Sequence, residues 1–262
     1  MTQTQTQKPR TLKTTKQINL NSSVATKNNG AYNSDVVFNF KNIISNRDEI
    51  DYIDVSIDNA QFPVSFYNIN ANNNILKISI DAGPIQTITI TPGNYNSTSL
   101  QSELLTQFTN EGIINITMTF STITGKYLFT INSGSFTFHN NGSTIFQILG
   151  FTDEDHTSTA QNLTSTYAIN LLGPLKLLIY SQAFHIDNIS ALGNNNCLLE
   201  IPITAPNFGL IQYNNSSNIH NISQQKILND IDITIKDDNN ELINFNNQNW
   251  SITILLKIYY LK

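Results

Sequence analysis

Apolar and polar residues alternate with period two along most of this chain. The alternation opens at Val36, Phe38 and Phe40 and returns at Ile53, Val55 and Ile57, with Asp54, Ser56 and Asp58 between them. Such spacing sends every second side chain to one face and predicts half-buried strands. Leu76, Ile78 and Ile80 form the next run, followed by Ile88 and Ile90, and Ala82-Gly83-Pro84 supplies the turn between the two. Ile116, Met118 and Phe120 alternate with threonines; after Thr124-Gly125 the chain resumes at Tyr127, Phe129 and Ile131, which predicts a hairpin closed by a glycine turn. Further strands are predicted at Leu175 to Tyr180, Leu199 to Ile203 and Ile231 to Ile235. The longest run is Trp250, Ile252, Ile254, Leu256, Ile258 and Tyr260, with polar partners Ser251, Thr253 and Lys257, so it predicts a central strand with one face on the core.

Only two stretches carry helical spacing. Leu100, Leu104, Leu105 and Phe108 form a stripe from a cap at Asn96 or Ser97 to Gly112, predicting a helix over about 97–111. Ser143 is the expected cap of a short turn through Ile145, Phe146, Ile148 and Leu149, stopped by Gly150. Many strands with helices confined to connections give an antiparallel sandwich or jelly roll and exclude a βαβ fold. The expected organisation is an extended basic arm over 1–33 and one β domain over 34–262 with an insertion at about 92–160. No internal repeat or interdomain linker interrupts it. The Asn/Ser-rich stretch Asn207 to Gln225 reads as a long exposed loop, an insertion or a subunit contact.

Charge changes this picture at one end. Residues 1–33 hold Lys8, Arg10, Lys13, Lys16 and Lys27 and no acid, while the whole chain has a net charge of −5. A basic polar arm on an acidic body is expected to be ordered only against partners, and its removal to leave a folded, soluble body. It has no aromatic before Tyr32, so any nucleic-acid contact is expected to be weak and non-specific. Charged residues are only 13% of the chain, and 39 asparagines supply a neutral polar surface instead. A single cysteine, Cys197, excludes an internal disulfide and a multi-cysteine metal site, which fits assembly in a reducing cell interior. No apolar run reaches the length of a membrane span, and the opening Thr and Gln repeats do not read as a secretion signal.

Chemistry is sought next and little is found. There is no Gly-X-Ser-X-Gly elbow, no His-Glu-X-X-His and no phosphate-cradling loop. His139, His156, His185 and His220 share no ligand-like spacing. Asp153-Glu154-Asp155-His156 and Asp237-Asp238-Asn239-Asn240-Glu241 offer oxygen ligands to a cation, but lack the full spacing and glycine of an EF-hand, and read more simply as turns. The expectation is a protein without catalytic, cofactor or metal residues, and not an enzyme. Trp250 is the only tryptophan, which weakens a carbohydrate-binding reading.

The order of segments resembles a family. Thr87-Ile-Thr-Ile-Thr-Pro-Gly-Asn-Tyr95, the stripe Leu100, Leu104 and Phe108, the hairpin Thr117 to Ile131, and Ile148-Leu-Gly-Phe151 resemble the minor capsid and vertex proteins of virophages, Polinton-like viruses and related large double-stranded DNA viruses. Ile231-Asp-Ile-Thr-Ile-Lys-Asp-Asp and Asn249-Trp-Ser-Ile-Thr-Ile-Leu-Leu-Lys resemble the last two strands of such subunits. The resemblance implies a single jelly roll that forms a homopentameric penton at capsid vertices. Around it would stand the major capsid protein, contacted through the N-terminal arm and loops, and other minor capsid proteins. The helix at 97–111 departs from a minimal jelly roll. The rival expectation is a viral spike, fibre head or lectin-like attachment module on a sandwich.

Overall fold

A computed structural model describes residues 10–30, 32–44, 50–186 and 196–261. In chain order its strands and helices are β1 (Arg10–Asn21), β2 (Lys27–Asn28), β3 (Asp35–Ile44), β4 (Ile50–Pro63), β5 (Ile75–Ile80), β6 (Gln86–Thr89), α1 (Ser97–Asn110), β7 (Ile116–Ser121), β8 (Lys126–Ile131), β9 (Phe136–His139), α2 (Phe146–Leu149), β10 (His156–Thr157) and β11 (Asn162–Thr164). The chain continues through β12 (Lys176–Tyr180), β13 (Cys197–Pro202), β14 (Leu210–Asn214), β15 (Asn221–Ser223), β16 (Leu228–Lys236) and β17 (Ser251–Leu261). Two units emerge: residues 1–66 with 174–262, and residues 67–173.

The first unit has two sheets of antiparallel neighbours. One runs β1-β17-β4-β14 with β15 also on β4, the other β13-β12-β16-β3-β2. With the two-residue β2 set aside and β14 and β15 taken as one line along β4, eight strands remain, ordered 1-8-3-6 in one sheet and 5-4-7-2 in the other. That order is a single jelly roll. Its core is filled from both inner faces: Leu20, Val55, Phe62, Ile254 and Leu256 come from the first sheet, and Val36, Phe38, Ile179, Ile201 and Ile233 from the second. Trp250, 1% exposed, packs beside Phe62 and edge-on to Phe38.

β17 lies centrally between β1 and β4, as its pattern predicts, and buries Ile252, Ile254, Leu256, Ile258 and Tyr260 in strict alternation. β4 breaks the parity. It buries Ile50, then Ile53, Val55 and Ile57, then Ala60 and Phe62. Its register against β17 slips twice, from Ile50 to Tyr52 and from Ile57 to Asn59, leaving Asp51 and Asp58 as extra residues. Each bulge reverses which residues face inward, so all three apolar groups reach one core.

Three boundaries differ from the sequence reading. Residues 10–21 are not a free arm. They are β1, paired with β17 from Arg10↔Leu261 to Asn21↔Ser251, and they bury Ile18 and Leu20. The Thr, Lys and Gln content that reads as an arm is also what an edge strand carries, because polar and charged side chains discourage edge-to-edge aggregation. Lys16 donates to the Ile43 carbonyl and Lys27 lies in β2, while Lys8 falls outside the described residues. The stretch 207–225 is not a bare loop either: β14 and β15 both pair with β4. The insertion, expected at about 92–160, spans 67–173.

That insertion has its own core, comprising Leu76, Ile78, Leu104, Phe108, Phe129, Phe138 and Phe151 among others. Its sheets run β10-β9-β5-β6 and β11-β8-β7. Asn96 caps α1 in a reciprocal box with Ser99, and Leu100, Leu104 and Phe108 are buried. α2 starts at Ile145 with no side-chain cap; Ser143, the expected cap, accepts instead from Lys77 N and donates to the His139 carbonyl. No helix among the described residues is long and apolar enough to cross a membrane.

Candidate functional site

The strand alternation of the insertion sets up a polar cluster on one face. Leu76, Ile78, Phe136 and Phe138 turn inward, so their neighbours Ser79 and His139 share the opposite face of the β5–β9 pair. His139 Nε2 lies 2.8 Å from Ser79 Oγ, and His139 Nδ1 lies 3.0 Å from Asp155 Oδ2. Asp155 Oδ1 accepts the Asn140 N–H at 2.8 Å. That backbone hydrogen bond, followed by His139, holds the Asp155 carboxyl below its usual range. A serine, an imidazole and a carboxylate joined through both ring nitrogens form the connectivity of a nucleophile with its base and orienter.

The surroundings do not complete such a site. Ser79 is only 5% exposed and stands inside a strand, with β5 paired to β9 through the flanking residues. Acyl transfer needs an open approach to the nucleophile and free donors for the developing oxyanion. A cavity of about 310 Å³ in this unit is lined by Gln147, Gly150, Phe151, Thr152, Asp153, Tyr167 and Ala168, none of them in the trio. What the three groups accomplish is a tie: β5, β9 and the turn before β10 are fastened together on the solvent side.

The sequence lists His139 and Asp155 as separate candidates, and the structure brings them together with Ser79, which the sequence gives no reason to select. The other histidines stand apart. His156 Nε2 is 3.1 Å from the Thr152 carbonyl and its ring packs on Phe151. His185 meets Gln225, and His220 Nδ1 approaches Asp54 Oδ1 to 2.9 Å, joining the start of β15 to β4. Among the described residues no cluster of three or more His, Cys, Asp or Glu is placed to hold a metal ion.

The cluster at 237–241 is a turn, and Asp153 and Glu154 form a bend before β10. Asp237 Oδ1 accepts the N–H groups of Asn239 and Glu241, each at 2.9 Å, Asp238 accepts from Leu175 N, and Asn240 takes a left-handed φ of 67°. Burial pushes the Asp237 carboxyl above its usual range. In the first cluster, Glu154 accepts from Thr152 Oγ1 and Asp155 belongs to the His139 tie. Cys197 is half-buried in β13, and burial raises its thiol pKa.

No protein-family model matches the chain, and no curated protein matches it. Solved structures do. The chain is similar to the mavirus penton protein. The two share 14% identity over 94% of this chain and 100% of the other, with a TM-score of 0.49. A chain of the Sputnik virophage structure is similar at 11% identity over 93% of this chain and 97% of its own, with a TM-score of 0.44.

Proposed function

We propose that this chain is a structural capsid protein, a homopentameric penton at icosahedral vertices that meets the major capsid protein through its N-terminal segment and loops. The observation that carries this reading is the strand order 1-8-3-6 over 5-4-7-2, built by a sequence whose segments at 87–151 and 231–257 resemble those of vertex proteins. Among the described residues the outermost strands are β1 and β14 with β15 in one sheet and β13 and β2 in the other, and an open sandwich leaves backbone groups at such borders without a neighbouring strand. A ring of head-to-tail contacts uses two different borders of each subunit, which is what a closed cyclic assembly requires. Many weak contacts made together then hold a shell without covalent links, and the surface supplied by 39 asparagines suits that role.

On this reading the protein resides in the virion and is assembled in the interior of the host cell, with other minor capsid proteins as further neighbours. A non-catalytic role is supported by the burial of Ser79 within its strand. The basic N-terminal segment supplies at most weak, non-specific contact with nucleic acid.

A second reading, an attachment module on a spike or fibre, is favoured by the separate core of residues 67–173. Light scattering on the purified full-length protein decides between them. A particle of five times the 29.4 kDa chain mass supports the vertex ring; three copies support the spike, and a single chain at every concentration overturns the ring.

A further inference from the structure

We propose that the β14–β15 border is the surface by which one copy of this chain docks on the β1 border of the next, with Phe208 as its anchor. The proposal deepens the ring reading and rests on it. Phe208 is 82% exposed and holds a left-handed φ of 64°. A bulky residue there is strained, and such strain persists only where the surroundings enforce it. The enforcing contacts are present: Phe208 N donates to the Val64 carbonyl at 2.8 Å, Val64 N to the Gly209 carbonyl at 2.9 Å, and Gly209 N to the Pro206 carbonyl at 2.8 Å. Among the described residues nothing covers most of the ring. The position therefore combines a strained backbone with a large apolar side chain in water, when glycine or asparagine would relieve both.

The rest of the border repeats the pattern. Ile211 and Ser223 are buried, whereas Leu210, Ile219 and Ile222 remain exposed, Ile222 to 63%. A solvated edge strand is ordinarily polar or charged on that side. Among the described residues β14 and β15 each pair with β4 alone, and β15 meets the rest of the unit through side chains, Asn221 Nδ2 donating to the Leu198 carbonyl and Ser223 Oγ to the Phe184 carbonyl.

Charge and direction identify the occupant as a second copy. Residues 207–225 contain no lysine or arginine, and Asp54 and Asp58 stand beside them on β4. The opposite border, β1, lies in the segment with five basic residues and no acid. Successive neighbours β1, β17, β4 and β14 are antiparallel, so β1 and β14 run in opposite directions. A copy carried round by rotation about an axis along the strands then sets its β1 antiparallel to β14, the geometry a ladder requires. Because the two borders differ, the contact is head-to-tail, the kind from which a closed ring is built.

The test compares the full-length protein with Phe208→Asn and Ile222→Asn by light scattering over a concentration series. Melting is measured at dilutions where all are single chains. Phe208→Asn is expected to melt higher, because asparagine tolerates the left-handed backbone, and to self-associate at least tenfold more weakly. A Phe208→Asn chain that associates like the parent, or melts no higher, overturns the anchor. Thr15 and Ile222 stand level across β17 and β4, so Thr15→Cys combined with Ile222→Cys is expected to give a ladder of intermolecular disulfides on oxidation. An assembled parent without that ladder overturns the docking geometry and leaves the ring standing; a parent that is a single chain at all concentrations overturns both.

Discussion

Trp250 donates its indole N–H to the main-chain carbonyl of Asn33 at 2.6 Å, across 217 residues of sequence. The bond fastens the approach to β3 onto the start of β17, and the indole fills the core beside Phe62 and Phe38. Trp250→Phe keeps an aromatic ring but removes the donor and some volume. We expect a loss of about 2 kcal/mol, from one unsatisfied acceptor and a partial cavity, seen as a lower urea midpoint at unchanged slope.

A chain beginning after Asn21 lacks β1. Ile18 and Leu20 leave the core and β17 becomes an exposed edge. Two aliphatic side chains are worth about 1.5–3 kcal/mol each, a large share of the stability of an ordinary domain. Circular dichroism is expected to show a destabilised, aggregation-prone protein. A truncated chain that melts like the parent would return β1 to the status of an arm, as the sequence alone implies.

Gly150 ends α2 at a φ of 77°, and a Cβ there would sit 2.3 Å from the Tyr167 carbonyl oxygen. Both the backbone angle and the neighbouring main chain oppose a side chain. Gly150→Ala should cost about 2 kcal/mol or more, read by calorimetry.

Asp237 has a raised carboxyl pKa, so its folded form binds the proton more tightly than its unfolded form. The stability this contributes is complete at low pH and is lost as pH rises through the folded value. Asp237→Asn keeps an oxygen to accept the two N–H groups of the turn. The variant should be at least as stable as the parent at neutral pH, with the difference closing in acid. A variant less stable at pH 7 refutes the burial argument.

Asp155 carries the opposite sign. Its carboxyl is held low by Asn140 and His139, so its contribution is present above the ordinary carboxylate range and fades as pH falls through the folded value. Its side chain is 55% exposed, so solvent screening keeps the effect small. Asp155→Asn should flatten the acid side of the stability profile while leaving Ser79 beside His139, observable by nuclear magnetic resonance of the imidazole.

Much of the jelly roll is legible in the sequence because the apolar positions of β17, and of β16 from Ile231 onward, recur with a period of two. β4 is less so. Its bulges at Asp51 and Asp58 shift parity, and periodicity cannot distinguish a bulge from the end of a strand. β1 is hidden for another reason: Ile18 and Leu20 give away its inner face, but they stand among threonines and lysines that also suit a tail. The Ser79–His139–Asp155 tie could not be read at all, since 60 and 16 residues separate its members and the β5–β9 and β9–β10 registers unite them.

The segment that carries the chain from β4 to β12 encloses a hydrophobic centre of its own. Natural variation in Phe129, Phe138 or Leu104 is therefore answerable to a different set of neighbours from variation in Trp250 or Phe62. Lineages can remodel one half of the molecule at a different tempo from the other, and sequence divergence should be counted separately for each.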